Sequence, residues 1–249
     1  MLSRVADSCY WLSRYIERAE TNSRLLHVNM NLMLDLEDAD HDSVREHWQP
    51  VLASLEDQEL FNTLYDHIDG ESVMEFVTFE KKNPHSIISS ISSARENART
   101  VREQISSEMW EHLNKLYLYL RSEKARADYR STPHDFYRSI IDGSHLFQGI
   151  TDATMGHGEG WQYLQVGRFI ERAGSTSALL DAFITDDGTP PGSVTPLDQA
   201  EWVVMLEGAD PAATASAARS LFKTSALKPF GVSKAATVGT YRFLFGNAR

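Results

Sequence analysis

One phrase occurs twice in this chain, and its charges constrain what the chain can fold into. Residues 14–19 read Arg14-Tyr15-Ile16-Glu17-Arg18-Ala19, and 154 positions later the chain reads Arg168-Phe169-Ile170-Glu171-Arg172-Ala173. The same interval pairs Leu12 with Val166, Thr21 with Ser175, and Leu25-Leu26 with Leu179-Leu180. Matched flanks at one spacing point to an internal duplication. At about 100° per residue on an α-helix, Arg14 and Arg18 lie opposite Ile16. Their face also carries Trp11, Leu25, Leu32 and Leu36, while the Ile16 face carries Leu12, Ala19, Met30 and Leu34. In the second copy Trp161, Leu179 and Phe183 share the face of Arg168 and Arg172. A helix that is apolar nearly all round belongs in an interior, so these charges are expected in or beside the core.

Buried charge is costly unless it is paired and hydrogen-bonded. Glu17 and Glu171 are the expected partners of the arginines, either at the i,i+3 spacing on one helix or across the two copies. Two readings stay open at this level. The charges form a structural ion network that fixes how the two halves dock. Alternatively, they line a polar pocket that binds an anion through spare guanidinium donors, because four arginines outnumber two glutamates.

A third stretch accompanies the two copies: Asn83-Pro84-His85-Ser86-Ile87, then Ala94-Arg95-Glu96-Asn97-Ala98-Arg99, Val101-Arg102-Glu103-Gln104-Ile105 and Glu108-Met109-Trp110-Glu111. Together with Tyr-Ile-Glu-Arg-Ala and Gly-Arg-Phe-Ile-Glu-Arg-Ala, these resemble the bacterial alpha-E domain family, an all-helical domain of unknown function named for its Glu-Arg motif. The resemblance covers about residues 1–207. It implies company rather than a reaction: such domains occur fused to, or encoded beside, a circularly permuted ATP-grasp protein, often with a transglutaminase-like protease. That setting implies peptide or amide-bond chemistry.

The 249 residues carry a net charge of −11, which argues against general nucleic-acid affinity, since phosphate binding needs a basic face. The charge is uneven. Residues 208–249 hold one acid (Asp210) and six bases, leaving −16 on residues 1–207. The expected organisation is therefore a helical bundle over 1–207, with halves at about 1–131 and 132–207, and a basic, divergent or truncated tail over 208–249. A counterpart of Asn83-Pro84 would fall near residue 238, where the chain reads Val238-Gly239-Thr240. The amino terminus lacks the uninterrupted apolar stretch of a secretory signal, and no segment approaches the apolar length that crosses a bilayer. The expectation is a cytoplasmic protein with no membrane or nucleic-acid partner. The single cysteine, Cys9, is expected to be buried and inert.

The expected fold is all-α, a pseudo-duplicated bundle of about seven to nine helices. Asn83-Pro84, Thr132-Pro133, Thr195-Pro196 and Asp210-Pro211 read as helix starts, a capping side chain followed by proline at the first position. The spacing predicts a helix over about 4–36, short helices around Val44–Leu55 and Leu60–Ile68, a stop at Asp69-Gly70, and a helix over 73–79. An apolar stripe from Ile87 to Leu120 at steps of three and four predicts one central helix over 84–122. Residues 123–132 read as a polar connector. A helix follows from Pro133, then a tight glycine turn at 156–160, a second motif helix over 161–184, a linker at 186–194 and a helix over 196–206.

No His-Glu-x-x-His, Cys-x-x-Cys or Gly-x-Ser-x-Gly occurs, so neither a metal nor a cofactor is expected. An arginine beside Glu17 or Glu171 lowers the carboxylate pKa and disfavours acid–base work at neutral pH. The leading expectation is a non-catalytic accessory domain, partner of an ATP-grasp ligase. Arg14, Arg18, Arg168 and Arg172 would hold an anionic group, Glu17 and Glu171 would orient them, and Asn97, Arg99 and Arg102 would extend the pocket. His157 and Glu159, just ahead of the second motif helix, would sit near its free N–H groups. The rivals are an enzyme of peptide or amide metabolism using one of the two glutamates, and a scaffold whose charges specify packing alone.

Overall fold

The computed structural model describes residues 1–34, 41–55 and 57–183. Among these residues the chain forms nine helices and no strand: α1 (Ser3–Leu34), α2 (His41–Ser54), α3 (Gln58–Leu64), α4 (Gly70–Thr78), α5 (Ile87–Thr100), α6 (Ser107–Leu120), α7 (Glu123–Ser131), α8 (Pro133–Thr154) and α9 (Glu159–Phe183). The expected linker at 186–194, the helix over 196–206, the helix start at Asp210-Pro211 and the basic tail lie outside the described residues.

Helix α1 is the axis of the bundle and packs against α9, α5 and α8. The all-round apolar pattern that predicted this is realised: Cys9, Leu12, Ile16, Ala19, Leu25 and Leu26 are all buried. The two motif helices run parallel. Met1 meets Glu159, Tyr10 meets Gly167 and Arg14 meets Glu171 in ascending order along both. Helix α8 runs the opposite way, since His134 lies against His27 whereas Gln148 reaches Glu17. Contact between α1 and α9 is close. A Cβ on Gly167 would stand 2.3 Å from the Tyr10 carbonyl oxygen, nearer than any real side chain approaches, so only glycine fits there.

The long apolar stripe is two helices rather than one. Helix α5 ends after Thr100, the chain turns through 101–106, and α6 folds back on it, with Arg95 Nε donating to Asn114 Oδ1 at 2.8 Å. Ser106 starts α6 by accepting from the Met109 amide at 3.1 Å, and Arg102 spans the turn to the Ile105 carbonyl at 3.4 Å. The period survives the turn because both helices direct the same stripe into one core, where Ile91, Ala94, Ala98, Met109, Leu113 and Leu120 are buried together.

Three further expectations are corrected. Residues 123–132 are mostly the helix α7, capped by Ser122 accepting from the Ala125 amide; a surface helix with one buried residue, Ala125, has little apolar periodicity to read. Asp69-Gly70 starts α4 instead of ending α3: Asp69 accepts from the Ser72 amide and Ser72 Oγ accepts from the Asp69 amide, a reciprocal capping box. Asn83 does not cap a helix at Pro84. Its side chain is buried, accepts from the His85 amide and donates to the Phe76 carbonyl, and the cap falls to Ser86. Pro133 does occupy the first turn of α8, but Thr132 makes no side-chain cap bond. The helix expected over 73–79 is confirmed as α4.

The capping geometry separates two hydroxyl residues that look alike in sequence. Ser106→Ala should lose about 1 kcal/mol, the usual value of a bonded N-cap, whereas Thr132→Ala should stay within about 0.5 kcal/mol. Urea unfolding of the two variants measures the difference.

Candidate functional site

The duplicated phrase forms a reciprocal exchange between α1 and α9. Glu171 accepts from Arg14 Nε and from Arg18 Nε, each at 2.6 Å. Glu17 accepts from Arg172 Nε, and Arg168 Nε lies 3.8 Å from its second oxygen. Each copy's glutamate is thus held by the other copy's two arginines. Of the two pairings the sequence allowed, the structure takes the one across copies. Both carboxylates are buried, at 2 % and 6 % exposed, while the four arginine side chains keep 16 to 23 % of their surface. Three of the four lie over aromatic rings: Arg14 over Trp11 at 4.7 Å, Arg18 over Tyr15 at 5.5 Å and Arg168 over Phe169 at 5.4 Å. Such stacking suits a guanidinium that is only partly hydrated.

A third buried carboxylate completes the cluster. Glu20, 1 % exposed, pairs with Arg24, accepts from Gln148 Nε2 at 3.2 Å and lies 3.1 Å from His145 Nε2. Arg172 Nη2 approaches it at 3.8 Å, and Gln148 Nε2 also donates to Glu17 at 3.2 Å. Glu20 lies outside the repeated phrase, and its counterpart in the second copy is Gly174, so comparing the copies gave no signal for it. The only cue was its position one turn beyond Glu17, at the i,i+3 spacing that puts both on one face.

Burial decides the electrostatics of Glu17. Its pKa is raised, chiefly because the charged form is desolvated; the Arg172 hydrogen bond acts the other way and the neighbouring Glu20 carboxylate raises it further. The expectation that an arginine would lower it is therefore overturned: removal from water and a second carboxylate outweigh the cation. Arg14 shows the converse. Burial, its largest influence, lowers the pKa, but the Glu171 carboxylate and Tyr10 raise it to a net upward shift. Cys9 is buried, and desolvation pushes its thiol up to about 11, as an inert core cysteine requires.

Among the described residues, five arginines (14, 18, 24, 168 and 172) surround three carboxylates (17, 20 and 171). One of the five is incompletely satisfied: Arg168 Nε is buried without a hydrogen-bond partner. It borders a cavity of about 20 Å³ lined by Ser13, Ile16, Phe147, Gln148, Thr151 and Leu164, among others. That volume holds about one water molecule and excludes a carboxylate or phosphate group. An anion would have to meet the guanidinium edges from outside, where they remain partly exposed.

The remaining predicted residues stand apart. Asn97 donates to the Ser93 carbonyl, Arg99 pairs with Glu96 on the exposed side of α5, and Arg102 bonds Ile105 and Ser107 beside Trp110. None of their bonds reaches α1 or α9. His157 stacks on Trp161 at 4.3 Å, and Glu159 receives the Met1 amine at 2.6 Å. A carboxylate at the start of α9 works against an anion there.

Two outcomes follow from the geometry. Glu17 should titrate above the ordinary glutamate value of about 4.3, as followed by carbon-detected carboxyl NMR. The sign is that of a raised folded-state pKa: its stabilising contribution is complete below the unfolded value and is lost as pH rises through the folded one. Glu171→Gln should cost toward the lower end of the about 3–5 kcal/mol for breaking a buried ion pair, because Arg14 and Arg18 retain some solvent to relax into. Denaturant unfolding at neutral pH measures that loss.

Residues 1–217 match the Alpha-E family, a predicted alpha-helical domain with a conserved ER motif. Among curated proteins the chain is 24 % identical over 203 residues to an uncharacterized protein of Mycobacterium bovis and to one of Mycobacterium tuberculosis CDC 1551. A similar protein of Mycobacterium tuberculosis H37Rv is 23 % identical over 203 residues. Each alignment covers 73 % of this chain but only 22 % of the relative, so the chain spans about a fifth of the curated relatives it matches. No solved structure matches.

Proposed function

The chain belongs to the Alpha-E family, and on that premise we propose that it is a non-catalytic accessory domain that binds an anionic group at the outer edge of the α1–α9 arginine cluster. The group is a carboxylate or phosphate on a peptide-like ligand, and the domain serves a circularly permuted ATP-grasp ligase acting with a transglutaminase-like protease in peptide or amide-bond metabolism. The observation that carries the binding reading is that, among the described residues, five arginines stand around three carboxylates and Arg168 Nε lacks a hydrogen-bond partner. A network serving only to dock two helices is complete when charges balance. The ligase association is supported by the family resemblance alone. The length of the curated relatives, in which a domain of this kind occupies about a fifth of the chain, agrees with a component role.

The rival in which the charges are purely architectural is favoured by a different observation, the one-water size of the cavity beside Arg168. The two separate in a thermal-shift titration of the whole chain with inorganic phosphate and with a glutamyl dipeptide, against sodium chloride at equal ionic strength. Binding raises Tm with ligand concentration, and Arg168→Met should abolish that rise while leaving the unliganded protein folded. An identical response in the variant and the wild type would leave the architectural reading in place.

A further inference from the structure

The two glutamates of the duplicated phrase are held unequally. Glu171 accepts from Arg14 Nε and Arg18 Nε, both at 2.6 Å, and among the described residues no second carboxylate pairs with either arginine. Glu17 has one close cation, Arg172, and that cation also approaches Glu20, with Nη2 3.8 Å from Oε2. The other Glu17 oxygen lies 3.8 Å from Arg168 Nε, too far for a hydrogen bond. It depends on the neutral Gln148 amide at 3.2 Å, and the same amide nitrogen lies 3.2 Å from Glu20 Oε2. Two buried carboxylates thus converge on one amide. Like charges held this close oppose double ionisation. Glu20 keeps its own arginine, Arg24, with His145 at 3.1 Å, so Glu17 is the member that gains by taking a proton. The raised pKa of Glu17, set by burial first with Glu20 among the further causes, has the same direction.

Among the described residues the charged groups facing Glu17 are Glu20 on its own helix and Arg168 and Arg172 on α9, with His145 of α8 behind Glu20. Arg14 and Arg18 are committed to Glu171. On α5, Arg95, Glu96 and Arg99 bond to one another and to Asn114. Arg168 and Arg172 both stay partly exposed. A charged Glu17 competes with any outside anion for these two guanidinium groups. A neutral Glu17 still accepts a hydrogen bond from Arg172, but leaves the charge of both arginines to an oxyanion arriving at their exposed edge.

We propose that an oxyanion docking at the exposed edges of Arg168 and Arg172 is taken up together with one proton on Glu17, so that the internal carboxylate and the external anion are alternative partners of the same two cations. The proton passes from water to a Glu17 oxygen, and no other covalent bond changes. The coupling is reciprocal: acid favours the bound anion, and the bound anion favours protonated Glu17. Affinity is therefore greatest below the Glu17 midpoint and falls as pH rises through it. This inference rests on the anion-binding reading and adds its control.

The probe is sodium sulfate, whose two charges do not titrate near neutral pH. It is titrated into the whole chain against sodium chloride at equal ionic strength, and the rise in Tm gives the affinity at pH values spanning the Glu17 carboxyl midpoint. Affinity should be about fivefold or more tighter at the acid end, with a midpoint that coincides with the Glu17 midpoint seen by carboxyl NMR. Glu17→Gln, neutral and of the same shape, should bind at every pH as tightly as the wild type does in acid, whereas His145→Gln should retain the pH dependence. If Glu17→Gln does not fold, Glu20→Gln replaces it: loss of the neighbouring carboxylate should move the affinity profile and the NMR midpoint together to lower pH. Equal affinity across the range, or a pH dependence lost in His145→Gln and kept in Glu17→Gln, overturns the coupling and leaves the anion site standing. No response to sulfate at any pH also overturns the coupling, and the phosphate and dipeptide titration then decides the anion site separately.

Discussion

The exchange of carboxylates between α1 and α9 is the interaction on which the rest of the arrangement depends. Parallel neighbouring helices place like ends of their dipoles together and cannot be joined by a short turn. Here α2 to α8 lie between them. Something specific must therefore set the register. Glu171 needs Arg14 and Arg18 on either side of it, and Glu17 needs Arg168 and Arg172. Sliding one helix by a turn would strand a buried carboxylate, at a cost of several kcal/mol. Gly167 reinforces the same register from the backbone, because a side chain there would collide with the Tyr10 carbonyl.

The two copies are equivalent in that exchange and unequal around it. Helix α8 runs along one side of the pair and brings Gln148 to both Glu17 and Glu20, with His145 beyond. Nothing in the second copy repeats Glu20. The electrostatic field is therefore lopsided: two carboxylates share the α1–α8 side, where burial first and the second carboxylate after it raise the Glu17 pKa, while Glu171 faces Arg14 and Arg18. The same inequality appears on the outside, where among the described residues Leu12 of α1 is buried and its counterpart Val166 on α9 is exposed. A duplicated sequence has been built into a structure whose two halves present different surfaces.

What the sequence made legible follows from what periodicity and repetition encode. The repeated hexamer with its flanks announced a central pair of helices carrying inward charge, and the buried side chains of α1 bear that out. A three- and four-residue step, however, reports which side faces the core and not whether the chain has reversed, so Ile87 to Leu120 read as one helix when it is the α5–α6 hairpin. Helix α7 was missed because a helix that buries only Ala125 has no stripe to see. Asn83 was misread because the same Asn-Pro pair suits either an N-cap or a turn, and only the Phe76 carbonyl above it decides. The Glu17 pKa direction required knowing how completely water is excluded, which no residue list contains.

The balance of charge bears on why the cluster is ionic at all. Well-packed apolar side chains often replace a buried ion network without loss of stability, so stability alone does not explain three buried carboxylates and five arginines. Register explains part of it, since paired charges penalise every misalignment in a way that interchangeable leucines do not. Register does not explain the excess. Among the described residues three carboxylates are shared by five arginines, so a carboxylate serves more than one cation, as Glu171 serves Arg14 and Arg18. Three of the five arginines, Arg14, Arg18 and Arg168, stay partly exposed and lie over Trp11, Tyr15 and Phe169. That position allows a cation to stay partly hydrated alone and to exchange water for an incoming oxyanion.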